Sequence, residues 1–103
     1  MRLSLSNIGP HLLAREPFTS ASGNLTAGLP HLTHDNENHI PMSQWQTLRG
    51  ATYVVMSYDI PIAWYCTGSG WHTLEQRLNN VTGRHQDEVF KAIGDLAEAG
   101  PAR

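Results

Sequence analysis

Among the six histidines of this chain, His31, His34 and His39 cluster in one stretch, and His72 and His85 lie farther along. An imidazole can hold zinc, but closed structural sites draw on cysteine pairs and catalytic ones set two histidines on one rigid face. Cys66 is the single cysteine, and the 31–39 stretch carries no helical or strand periodicity. These histidines therefore read as solvated loop residues, and neither a metal nor another cofactor is expected. Nucleophilic catalysis would need Cys66 or a serine beside a base that a third group orients. Cys66 follows an expected strand with no flanking mark of an activated thiol, so it reads as structural. The run Thr67-Gly68-Ser69-Gly70 is too short for a phosphate-cradling loop and lacks its lysine. It is a turn.

Two further constellations remain. Arg84-His85-Gln86 opens the expected last helix, where spacing by four aligns His85 with Val89, Ile93 and, one turn on, Leu96. His85 should then face a sheet, where a buried imidazole needs a hydrogen-bond partner. Ser57, Tyr58 and Asp59, in a turn between two strands, are the candidates. The set Ser57, Tyr58, Asp59, Arg84, His85 and Gln86 is read as a structural clasp between helix and sheet or as a ligand site, with the clasp preferred. A small hydrolytic or binding site at Tyr58, Asp59 and His85 is the enzymatic alternative. Trp64, Tyr65, Trp71 and Arg77 form the expected interaction surface. With Tyr58 and Arg84 they could also stack bases and contact phosphates of single-stranded nucleic acid. Aromatic rings on a small sheet are more often core, yet alternation lets only one of Trp64 and Tyr65 face inward, so one ring should be exposed.

The elements that must position these groups are legible in outline. Residues 8–16 predict a short helix, with Pro10 in a first turn where its missing N–H costs nothing, and Pro17 stops it. Residues 18–25 read as a brief strand or ordered loop, with a turn at Ser22-Gly23-Asn24 and Leu25 turned inward. Residues 28–43 are rich in Pro, His, Asn and Asp and read as a mobile loop, its far end pinned by Trp45 and Leu48. Residues 53–56 form a strand. Ile60, Ile62 and Trp64 then alternate with Pro61, Ala63 and Tyr65, giving a strand with one apolar face and with Pro61 at a sheet edge or bulge. The turn at 67–70 returns a third strand through Trp71 to Leu74. A last helix runs from about Gly83 to Ala99, with Asp87 and Glu88 near its positive end, and 100–103 is a flexible tail. The expectation is one α+β domain: a small antiparallel sheet of three or four strands packed against a C-terminal helix, with a short N-terminal helix.

Bulk properties narrow the function classes. The chain has 103 residues, a formal charge of −2 and 16% charged residues, so no long-range field draws it to phosphate or anionic lipid. A domain this small buries roughly two-thirds of its unfolded surface, which leaves homodimerisation open. No apolar run approaches the roughly 18 residues of a membrane span, and no continuous apolar core follows Met1. A reducing cytosolic setting is expected.

Residues 57–63, Ser-Tyr-Asp-Ile-Pro-Ile-Ala, and in part 78–86, Leu-Asn-Asn-Val-Thr-Gly-Arg-His-Gln, resemble the Ser-Tyr-x-Thr-Pro-Ile-Ala and Tyr-Ser-x-Thr-Thr-Ser-Arg-His-Gln segments of a family of small uncharacterised proteins of actinobacterial phages. Ile60 replaces a threonine of the first segment. The second keeps Thr82, Arg84, His85 and Gln86 but loses its Tyr, two Ser and one Thr, which weakens any hydroxyl-dependent site. The Gly-rich stretch 23–28 resembles that family as well. The resemblance implies a phage context and no mechanism. Together with small size and surplus sheet aromatics, it leads to the expectation of an accessory protein in the host cytoplasm that binds and modulates a host protein without catalysis, with nucleic-acid binding as the alternative partner class.

Overall fold

The computed structural model describes residues 2–29, 40–58, 60–74, 78 and 80–98. In chain order these form β1 (Arg2–Leu3), a 3₁₀ turn (Leu5–Asn7), α1 (Gly9–Ala14), β2 (Phe18–Ser20), β3 (Leu25–Gly28), α2 (Met42–Arg49), β4 (Tyr53–Ser57), β5 (Ile60–Cys66), β6 (Gly70–Thr73) and α3 (Asn80–Glu98). The strands make one sheet in sequence order, β1-β2-β3-β4-β5-β6. Strands β2 to β6 are antiparallel, and the two-residue β1 pairs parallel to β2. The α+β class holds. Five antiparallel strands exceed the three or four expected, because β2 and β3 are too short to show a clear alternation.

Each helix has a local cause. Pro10 sits in the first turn of α1, and Arg15 closes it in the left-handed region at φ 53°, ψ 47°. The Glu16 N–H then reaches His11 O at 2.8 Å and the Arg15 N–H reaches Leu12 O at 3.1 Å, the paired bonds of a Schellman end. Helix α2 was not expected: Met42 and Ser43, read as the end of a loop, open it. The remaining loop residues 30–39, with His31, His34 and His39, and the tail 100–103 lie outside the described residues. Helix α3 begins at Asn80, earlier than the expected Gly83, and has no acidic residue in its first turn. Asp87 and Glu88 therefore do not complement its dipole, and Gly83 is buried inside the helix, where packing overrides its poor propensity.

Side chains alternate along a strand, and the contacts show that helices cover both faces. On one face Ser57 reaches α3 and the Tyr53 hydroxyl donates to Glu16 O, just past α1, at 2.6 Å. On the other, Trp64 Nε1 donates to Thr47 Oγ1 at 3.1 Å and the Cys66 thiol to Thr47 O at 3.0 Å, both on α2. Val55 and Ala63 on the first face and Trp64 and Val54 on the second are all buried. Two covered faces explain the near-continuous apolar runs of β4 and β5; the single apolar face expected of β5 is corrected. Register slips between Val55↔Ala63 and Met56↔Pro61, leaving Ile62 as the extra residue of a bulge. Pro61 thus lies at a bulge of an inner strand, where its missing N–H is tolerated. At the β6 edge, Gln44 Nε2 donates to Thr73 O at 2.7 Å, so α2 also occupies part of the outer strand's hydrogen-bonding rim.

Candidate functional site

Ser57 ends β4 fully buried, and its hydroxyl donates to Thr82 Oγ1 on α3 at 3.1 Å. Its oxygen also lies 2.7 Å from His85 Nδ1. Since the serine proton points to Thr82, Nδ1–H is assigned as the donor to Ser57, which leaves Nε2 as an acceptor. Burial, and after it the nearby Arg84 guanidinium, push the His85 pKa below its ordinary 6.5, so the ring is neutral at pH 7. Gln86 is fully buried, and its Oε1 accepts the Leu78 N–H at 2.8 Å, fixing the approach to α3. The structure brings together Ser57, His85 and Thr82, with Gln86 one step along the helix. Tyr58 stands apart: it is 51% exposed, with φ 56°, at the tip of the β4–β5 hairpin. Asp59 lies outside the described residues.

His85 is only 3% exposed, yet its ring lines a groove of about 560 Å³. Nδ1 is engaged by Ser57, and no buried side-chain nitrogen or oxygen lacks a partner among the described residues. Nε2, which has no partner among the described residues, is therefore the ring nitrogen left to open on the groove. Leu3 and Leu5 form one wall, Ala21, Ser22 and Asn24 of the β2–β3 turn another, and Val81 and Arg84 of α3 the third. The turn is held firmly. Ser20 Oγ accepts the Leu25 N–H at 3.1 Å, Gly23 takes φ 83°, and the Tyr58 N–H donates to Asn24 O at 2.7 Å. Arg84 is exposed, with no ion pair or hydrogen bond among the described residues.

The expected interaction surface is altered. Trp64 is fully buried under α2 and is withdrawn from it, because the pairing Tyr53↔Tyr65 and Val54↔Trp64 points it to the α2 face. Tyr65 is the ring left half-buried on the other face. There Trp71 packs edge-on to Tyr65 and Tyr53, with centroids 5.5 and 5.9 Å apart, and the Arg15 guanidinium lies 4.3 Å from the Tyr65 centroid. Burial and the Glu16 carboxylate raise the Tyr53 pKa well above its ordinary value, against a smaller opposing pull from Arg15. Arg77 lies outside the described residues. Cys66 is buried, His72 Nε2 contacts Ser69 Oγ at 2.9 Å, and His11 pairs with Glu16 at 3.1 Å. Among the described residues no helix is long and apolar enough to cross a membrane.

The model of a family of unknown function, DUF8033, matches residues 14–101. The chain belongs to the DUF8033 family. The match takes in Ser57, Thr82, Arg84 and His85 but not Leu3 and Leu5, so it covers two of the groove's three walls. No curated protein and no solved structure matches this DUF8033 chain. Sequence reasoning gave Thr82 no role, although its place three residues before His85 sets both on one helix face. It also missed the walls: Val81 carried a signal, as an apolar residue off the buried stripe, whereas Leu3 and Leu5 carried none.

Proposed function

We propose that this DUF8033 protein is a phage-encoded accessory protein that binds a host protein in the host cytoplasm and modulates it without catalysis. The groove carries the reading: Leu3, Leu5, Ala21 and Val81 give it aliphatic surface, and two of its polar groups, Arg84 and His85 Nε2, have no partner within the described fold. Concave, largely preformed surfaces with a few convergent polar groups are where ligands bind. The phage and host terms rest on the motif resemblance at 57–63 and 78–86. The test is affinity capture from host lysate with the wild type and Val81→Asp, with and without nuclease. Val81 is 41% exposed near the start of α3, where an aspartate suits the helix dipole and should leave the fold intact. A host protein recovered by the wild type and lost by the variant supports the reading. No partner, or one indifferent to the variant, refutes it.

One observation favours a second reading, a small enzyme at Tyr58, Asp59 and His85. A neutral imidazole oriented through Nδ1, with Nε2 open to a groove, has the form of a general base. Tyr58 does not line that groove, so the enzyme would rest on His85 with Arg84. The nucleic-acid reading loses Trp64, and Trp71 and Tyr65 are engaged with each other.

A further inference from the structure

We infer that the groove takes an acidic, aliphatic peptide segment: a carboxylate against Arg84, an adjacent aliphatic side chain against Leu3, Leu5 and Val81, and a backbone N–H toward His85 Nε2. This rests on the binding reading above and names the chemistry of the partner. Among the described lining residues Arg84 is the one charged side chain, and none is Asp or Glu. The chain as a whole is at −2, so the preference for an anion is local, set by one planar guanidinium that fits a carboxylate through two parallel N–H bonds.

The second polar group demands the opposite. Nδ1–H is committed to Ser57 and the ring is neutral, so Nε2 offers a lone pair and accepts a donor rather than a second anion. The groups facing this ring are the Ser57 and Thr82 hydroxyls and the Arg84 charge, none of which supplies that donor. A peptide brings a carboxylate, an aliphatic side chain and an N–H within two residues. A nucleic-acid strand would bring anions, but no Phe, Tyr or Trp stands among the described lining residues for a base to stack on. The bonds that hold the β2–β3 turn to Leu25 and Tyr58 preform one wall, which lowers the ordering cost of binding.

The test is a displayed library of random heptapeptides, selected on the wild type and counter-selected on Val81→Asp. The expected consensus is Asp or Glu beside Leu, Ile or Val. In fluorescence anisotropy the selected peptide should bind Arg84→Gln about tenfold more weakly, the low end for one charge-assisted contact at an exposed group. Replacing its acidic residue by the amide should give the same loss on wild type and little further loss on Arg84→Gln. Neutral or basic peptides that Val81→Asp rejects would overturn the acidic assignment and leave groove binding standing. Binding indifferent to Arg84→Gln would do the same. If neither a peptide nor a captured host protein is sensitive to Val81→Asp, both readings fall.

Discussion

Ser57→Ala isolates the contact that joins the last helix to the sheet. The serine oxygen takes the Nδ1–H of a ring that is 3% exposed, and its own proton goes to Thr82, itself 8% exposed. Alanine leaves Nδ1–H without a partner where water has little access, which costs about 1–3 kcal/mol. Thr82 loses less, since it gives up only an incoming donor. Taking ~2 kcal/mol as the sum, and ~4–8 °C per kcal/mol for a domain of this size, the melting temperature should fall by roughly 8–16 °C. Urea unfolding followed by circular dichroism reads the free energy directly. The pairing itself is tested by a cycle with His85→Leu. Once both polar groups are gone nothing is stranded, so the double variant should be more stable than the sum of the singles predicts, by ~1–2 kcal/mol. A loss below about 0.5 kcal/mol for Ser57→Ala, or additivity within that margin, would refute the reasoning.

Acid should weaken the fold through the same residue. The unfolded chain takes up a proton on His85 at the ordinary pKa of 6.5, whereas the folded ring, with its pKa lowered, stays neutral. Stability from this source is full above that pH and declines below it, toward the folded pKa, with a limiting slope of ~1.4 kcal/mol per pH unit. His85→Leu should flatten the pH dependence of unfolding between pH 5 and 7; an unchanged slope would place the titration elsewhere. Tyr58→Asn should stabilise the protein by roughly 0.5–1 kcal/mol, because a half-exposed tyrosine at φ 56° occupies a region that asparagine tolerates better. The same variant should retain partner capture, since Tyr58 does not line the groove; loss of capture would move the binding surface to the hairpin tip.

The elements with strong periodicity or turn chemistry were legible. The His85, Val89, Ile93 stripe located the buried face of α3, Pro10 and Pro17 bracketed α1, and the turn after Ser57 with the 67–70 turn divided β4, β5 and β6. What escaped depended on contacts remote in sequence. Helix α2 carries a buried Gln44 where an apolar residue would mark the stripe, and that glutamine donates to Thr73 O on β6, a partner remote in sequence. The burial of Trp64 follows from α2 lying beneath it, so missing the helix meant misreading the tryptophan. At the site, spacing indicated that His85 faces the sheet. Whether the nitrogen that meets the groove accepts or donates depends on Thr82 taking the serine proton, and Leu3 and Leu5 reach the groove through a parallel pairing too short to read.

The sheet runs in sequence order, but β3 and β4 are separated by residues 29–52, whereas the other antiparallel neighbours are joined by short turns. The β4-β5-β6 meander can therefore zip from local contacts, while the β1–β3 half must find β4 across a long connection. The groove draws its walls from both halves: Leu3, Leu5 and the β2–β3 turn from one, Val81, Arg84 and His85 from the segment after β6. It exists only once the two have met, so its contacts form late and act chiefly on the rate of unfolding. A partner seated there would brace the two halves together. Such a complex should outlive the free chain under proteolysis by more than its affinity alone implies.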